Sequence, residues 1–233
     1  MRHSINKIFL VGTVLMATTT WADAGPFDGL GSLGGAIGLG SGGGASFSAT
    51  GAQMQSQLLV GLRSLVTAVS LMQEASGHKQ QADKLKAVSD ELQRTTTVSS
   101  AQVEQTVQAI DDNPVDRSQL ANVHDAKSKQ LLVQSAGNMA IAGLWNAKAV
   151  SSAQQLASIR PGLGDAMAAP ALLNTAKVVV TTLPAEIGHT ATYTSMLADY
   201  MRDNKLSPPS KDDQRKLAVA QGADPAQVAA NLP

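Results

Sequence analysis

Apolar residues recur at spacings of three and four from Gln53 almost to the end of the chain, a pattern that predicts α-helices. The densest stripe consists of Leu58, Leu62, Leu65, Val69 and Met72. Residues at these spacings lie on one side of a helix and pack against a neighbouring helix. The pattern therefore predicts an all-α fold, an elongated helical bundle.

Residues 118–159 are predicted to form one long central helix, about 60 Å long at a rise of 1.5 Å per residue. Its large apolar residues share one sector, and small residues such as Ala136 and Gly143 lie on the opposite side. Small residues allow a neighbouring backbone to approach closely, so both sides of this helix can be packed. We therefore interpret it as the middle helix of the bundle.

Proline residues indicate where the later helices begin. Pro170 and Pro184 are each predicted to start a helix, because proline is favoured in the first turn. Residues 178–182 have strand propensity, but they lie between these prolines and keep a helical periodicity, so we predict helix there as well. After the spacer at 207–209, the chain is predicted to end in a short helical hairpin that turns at Gly222.

The first 24 residues have the three-part layout of a secretory signal peptide. A basic start is followed by an apolar stretch over residues 8–16 and by small residues at 22–24. This apolar stretch is too short to span a bilayer as a helix. We therefore expect the chain to be exported from a bacterial cytoplasm and to be periplasmic or secreted.

A glycine-rich segment follows, and Phe27 and Phe47 lie within it. Glycine loses more backbone entropy on folding than any other residue, so we expect this segment to be disordered. Four segments result: a signal peptide at 1–24, the flexible segment at 25–52, a helical bundle domain at 53–204, and a spacer with a short hairpin at 205–233.

Composition excludes several classes of function. The chain has 18 basic and 18 acidic residues, no cysteine and 3% aromatic residues. A near-neutral chain has no strong field to attract nucleic acid or an anionic membrane. The absence of cysteine excludes disulfides and thiolate catalysis, and the few rings cannot build the stacking platforms of single-strand nucleic-acid clefts. We therefore expect no nucleic-acid partner.

No recognisable catalytic or cofactor motif occurs in the sequence. Glu186 and His189 have the Glu-x-x-His spacing of di-metal bundle proteins, but those sites need the motif twice. We interpret this pair as solvated and close to a helix start, and Asp111 with Asp112 as a helix end. The predictions are therefore no catalytic residue, no cofactor and no metal, and a protein that is not an enzyme.

These observations predict an exported protein that acts by protein–protein contact, as an accessory or subunit of a bacterial cell-envelope or secretion assembly. In length and layout the chain resembles periplasmic helical subunits of secretion systems. The partner is expected to be an envelope or secreted protein. Association of the chain with itself, as a homo-oligomer, is also compatible with the sequence. The candidate interaction surface consists of Phe27, Phe47, Leu58, Leu62, Leu65, Val69 and Met72.

The sequence leaves three alternatives open. The leucine-rich stripe can instead be intramolecular core, which the same spacing also predicts. Residues 58–66, together with the glycine-rich segment, could bind lipid, although interfacial helices usually carry lysine and aromatic residues. Finally, an enzyme could assemble its site from residues that are distant in sequence.

Overall fold

The computed structural model describes residues 46–232. They form eight α-helices and, within that range, no strand. The helices are α1 (Phe47–Ala75), α2 (Lys79–Arg94), α3 (Ser100–Asp111), α4 (Arg117–Ala121), α5 (Ala126–Ser158), α6 (Ala169–Asp203), α7 (Lys211–Ala220) and α8 (Pro225–Asn231). The prediction of an all-α fold is confirmed, whereas the predicted signal peptide and residues 25–45 lie outside the described residues.

Three long helices, α1, α5 and α6, build the core. They have 29, 33 and 35 residues, respectively. Helix α5 packs extensively against both α1 and α6, whereas α1 and α6 scarcely touch. The small residues Ala136, Ala142 and Ala149 of α5 are buried in the main core. The expectation of a middle helix that is packed from both sides is therefore confirmed.

The middle helix begins later than the sequence predicts. Residues 118–159 do not form one helix, because α4 ends at Ala121 and α5 begins at Ala126. Asp125 caps α5: its side chain accepts a hydrogen bond of 2.8 Å from the backbone N–H of Ser128. An aspartate at this position stabilises a new helix start, and this cap explains the break.

Helix α6 runs through Pro184, so the prediction that a new helix starts there is wrong. An interior proline removes one backbone hydrogen bond and costs about 3 kcal/mol. Val179 and Leu183, in the preceding turns, are fully buried, and this packing offsets the cost. Residues 178–182 are helical, as predicted.

Helix α1 also starts earlier than the expected boundary of the bundle domain. It begins at Phe47, and the Ser46 side chain accepts a hydrogen bond of 3.2 Å from the backbone N–H of Ala49. The flexible segment was expected to extend to residue 52. Phe47 is 2% exposed, so its burial in the core holds these residues in the helix.

The C-terminal hairpin, α7 and α8, is docked on the bundle. Its buried residues form a second apolar cluster with α1 and α5, made of Val60, Ile141, Trp145, Ala218, Ala223 and Val228. The turn of the hairpin is at Gly222, whose φ of +92° lies in the left-handed region that glycine adopts readily.

The buried side chain of Arg63 connects α1 to the ends of two other helices. Its guanidinium donates hydrogen bonds to the carbonyls of Leu92 and Thr95, at the end of α2, and of Gln221, at the end of α7, at 2.8–3.0 Å. A β-carbon at Gly222 would lie 2.6 Å from its Nη1 atom. Free carbonyls at helix ends attract a cation, so Arg63 holds both ends against α1.

Candidate functional site

The predicted leucine-rich surface lies inside the folded chain. Leu58, Leu62, Leu65, Val69 and Met72 are fully buried, and Phe47 is buried with them. They belong to the main core shared by the long helices. These residues therefore cannot form an exposed interaction surface, and the interpretation as intramolecular core applies. Phe27 lies outside the described residues.

The exposed apolar residues occur instead in the loop between α5 and α6, residues 159–168, which we call the tip loop. Leu163 is 102% exposed and Met167 is 97% exposed. Among the described residues, only one other large hydrophobic side chain, Val219, is exposed, at 45%. The tip loop thus presents two apolar side chains to water.

Local hydrogen bonds give the tip loop a defined shape. The Gly162 N–H donates to the Asp165 carboxylate at 2.9 Å, and the Asp165 N–H donates to the Gly162 carbonyl at 3.0 Å. These bonds close a short 3₁₀ turn over Leu163–Asp165. Sequence reasoning missed this surface because a loop has no periodicity. The available signal was a leucine and a methionine in a stretch of glycine and proline.

A group of three titratable side chains joins α3 to α6. Asp111, the last residue of α3, lies beside Glu186 and His189, which are one turn apart on α6. The Nδ1 atom of His189 is 3.4 Å from Asp111 Oδ1 and 3.4 Å from Glu186 Oε1. We call these three residues the acidic–histidine cluster.

The cluster is open on one side and closed on the other. The side chains of Asp111 and His189 are about half exposed, at 48% and 51%, whereas that of Glu186 is 1% exposed. Its Oε2 atom is buried without a hydrogen-bond partner. The one buried carboxyl group of the cluster therefore has an oxygen without a hydrogen-bond partner.

Burial sets the protonation of Glu186. It raises the pKa of this carboxyl group from 4.5 to about 7, with a further contribution from repulsion by Asp111, and nearby His189 opposes the rise. Burial also raises the pKa of Tyr193, which feels the same two carboxylates. Near neutral pH the cluster can take up or release a proton, and its ligand types can hold a divalent cation.

The sequence interpretation of Glu186 and His189 as a solvated pair at a helix start is wrong for Glu186. The helix does not start at Pro184, so Glu186 lies in its interior and faces the core. The Glu-x-x-His spacing was a usable signal for this pair. For Asp111 there was none, because it approaches from a helix that is far away in sequence.

A groove of about 380 Å³ lies beside the first turns of α1. Its lining includes Gln55, Leu59, Arg63 and Leu172, but no histidine, aspartate or glutamate. Arg63 is engaged with backbone carbonyls. This groove therefore brings together no acid–base group.

Among the described residues, α1 is the one helix that is long and apolar enough to cross a membrane by length and composition. However, 78% of its most apolar window is buried inside the bundle, and the core helix of a soluble protein passes the same test. Its apolar character is therefore accounted for by the core.

Comparison of the chain with protein-family models, with curated proteins and with solved structures finds no match.

Proposed function

We propose that this chain is an exported, non-catalytic protein that binds another envelope protein, as a subunit or accessory of a bacterial cell-envelope or secretion assembly. The observation that supports the binding role is the full exposure of Leu163 and Met167 in the tip loop. Export rests on the sequence of residues 1–24.

The two exposed side chains can act as anchors for a partner. Complete burial of a leucine or methionine side chain is worth about 1.5–3 kcal/mol. A few buried anchors carry most of the binding free energy in many protein interfaces. We therefore expect the partner to present an apolar pocket that takes Leu163 and Met167 together, with polar contacts around it.

The charges of the tip loop favour a protein partner over a lipid surface. The loop carries one cation, Arg160, and one anion, Asp165, and it has no aromatic residue. Segments that bind a membrane interface combine several lysine or arginine residues with aromatic ones. An apolar pocket on a protein needs neither.

Site-specific photo-crosslinking in the native envelope tests this proposal. A photoreactive amino acid replaces Leu163 or Met167 in the full chain. The matched control carries the same amino acid at Val219 on α7, the third exposed large hydrophobic residue of the described part of the chain. We expect one protein adduct from each tip position and none from the control. Mass spectrometry of the adduct distinguishes a different protein from a second copy of this chain.

A double variant, Leu163→Ser with Met167→Ser, then measures how much the anchors contribute. We expect the captured partner to be lost while the circular dichroism spectrum stays unchanged, because neither side chain is packed. Val219→Ser should retain the partner. Retention by the double variant, or labelling of lipid from the tip positions, contradicts the proposal.

A further inference from the structure

We propose that Asp111, Glu186 and His189 bind one divalent transition-metal ion of the zinc class, each side chain providing one ligand atom. Carboxylate oxygen and imidazole nitrogen are both ligands that Zn²⁺ accepts in proteins. The three ligand atoms lie within 4.8 Å of one another. The site is independent of the tip loop and of the proposed contact function.

Two of the three ligand-atom separations, those that involve His189, match the edge of a coordination tetrahedron. Zinc–nitrogen and zinc–oxygen distances of about 2.0–2.1 Å place neighbouring tetrahedral ligands about 3.3–3.4 Å apart. The Nδ1 atom of His189 is 3.4 Å from a carboxylate oxygen of Asp111 and 3.4 Å from one of Glu186. Direct N–H···O hydrogen bonds are shorter, at about 2.7–3.2 Å. These two separations are longer than typical hydrogen bonds and equal to the ligand spacing around a shared ion.

Glu186 provides a second, independent indication of a ligand. Its side chain is 1% exposed, and its buried Oε2 atom has no hydrogen-bond partner. Among the salt bridges of the described residues, Glu186 pairs with His189 alone, and this pair is ionic only when the imidazole is protonated; the other member of the cluster, Asp111, is a second carboxylate. A buried carboxylate without full charge compensation is costly, and a divalent ion compensates both carboxylates at once.

The surroundings favour a cation and leave it a way in. Asp111 is the last residue of α3, where the free carbonyl groups give the helix end a partial negative charge. The half-exposed side chains of Asp111 and His189 open the cluster to solvent. Three protein ligands and an open side leave a position for a water molecule as the fourth ligand.

The donor set selects among metals. Mg²⁺ and Ca²⁺ prefer sites made only of oxygen, whereas an imidazole ligand suits zinc and its neighbours in the transition series. With one nitrogen and two carboxylate oxygens, the cluster should discriminate against Mg²⁺. Zn²⁺ is the probe that we choose for the test.

The test is a calorimetric titration of the full chain, purified without a histidine tag and freed of metal by a chelator. We expect one Zn²⁺ per chain with a Kd below about 1 µM, and no saturable binding of Mg²⁺ at the same concentrations. Co²⁺ in place of Zn²⁺ should give the visible absorption bands of a four-coordinate site. Failure to bind Zn²⁺ in a saturable, one-to-one manner overturns the proposal.

Substitutions locate the ion. Asp111→Asn, Glu186→Gln and His189→Gln should each weaken Zn²⁺ binding at least about tenfold, since loss of even an outer partner of a metal ligand costs 10–100-fold. The matched control is His124→Gln, an exposed histidine that also has an aspartate beside it, and it should bind as the unmodified chain does. Circular dichroism verifies folding of each variant. Undiminished binding in any one of the three cluster variants shows that the ion lies elsewhere.

Discussion

The tip loop and the acidic–histidine cluster depart from the usual distribution of side chains in opposite directions. In the tip loop, Leu163 and Met167 are apolar and fully exposed; in the cluster, Glu186 is ionisable and almost fully buried. Neither arrangement helps the folded chain, since exposed apolar surface gains nothing and a buried carboxyl group costs free energy. The difference shows that one helix, α6, can take part in two features that suit two different ligands: the tip loop precedes its start, and the cluster joins its interior to the end of α3.

The largest expected effect compares two leucines that differ in exposure. Leu62→Ala should lower the free energy of unfolding by about 2–5 kcal/mol, because the residue is fully buried in the core. Leu163→Ala should change the free energy of unfolding by less than about 0.5 kcal/mol, because the fully exposed side chain makes no packing contact that the substitution would remove. Urea unfolding of both variants gives the comparison. A cost above 1 kcal/mol for Leu163→Ala, about a typical point mutation, would show that the loop is packed.

The next effect is a pH dependence that belongs to Glu186. In the folded chain the pKa of this group is raised from 4.5 to about 7, so the folded state holds the proton more tightly than the unfolded state does. The resulting stabilisation is complete below pH 4.5 and is lost as the pH rises through about 7.

Glu186→Gln removes this titration and keeps the shape of the side chain. In metal-free protein, the variant should gain stability relative to the unmodified chain by up to about 3 kcal/mol as the pH rises across that window. Denaturant unfolding at a series of pH values, in the presence of a chelator, measures the difference. A difference that does not change with pH would mean that the carboxyl group titrates normally.

Zinc should stabilise the chain through the cluster but not through the tip loop. At 100 times its Kd, an ion that binds only the folded state adds about 2.7 kcal/mol, which corresponds to a rise in Tm of roughly 5–10 °C for a domain of this size. Calorimetric melting with and without a chelator measures the rise. Leu163→Ser should keep it, and His189→Gln, with at least about tenfold weaker binding, should lose about half of it or more.

The smallest effect separates burial from charge repulsion at Glu186. Asp111→Asn should lower the pKa of Glu186, because repulsion by Asp111 contributes to its rise. The pKa should nevertheless stay above its ordinary value, since burial is the larger cause. Carboxyl ¹³C shifts followed by NMR during a titration report this pKa directly. An unchanged value would mean that Asp111 does not act on Glu186 in solution.

The sequence was sufficient for the fold class and for the main packing relationship. The spacing of residues such as Leu58 and Leu62 identifies a core-facing side of α1, and the two apolar sides of α5 indicate a helix that is packed by two neighbours. Those signals are local and periodic. Helix boundaries were less predictable, because Pro184 is tolerated through tertiary packing on α6, and such packing cannot be derived from the residues beside it.

The two candidate sites were less predictable for different physical reasons. The tip loop has no hydrophobic periodicity. The sequence therefore could not show whether Leu163 is exposed to solvent or packed against the bundle. The cluster needs Asp111 and Glu186 together, and the sequence holds no information about which helix ends meet. Only the spacing of Glu186 and His189 could be seen in the sequence. It indicated that the two side chains are neighbours, but not that Glu186 is buried.

The hydrogen bonds of Arg63 also have a consequence for how the molecule opens. Its partners lie 29 and 158 residues away along the chain, in α2 and in the C-terminal hairpin. If the hairpin detached, Nη1 would lose its acceptor, and an unpaired buried donor is costly. The hairpin is therefore expected to exchange its amide hydrogens together with the centre of α1, as part of one cooperative unit.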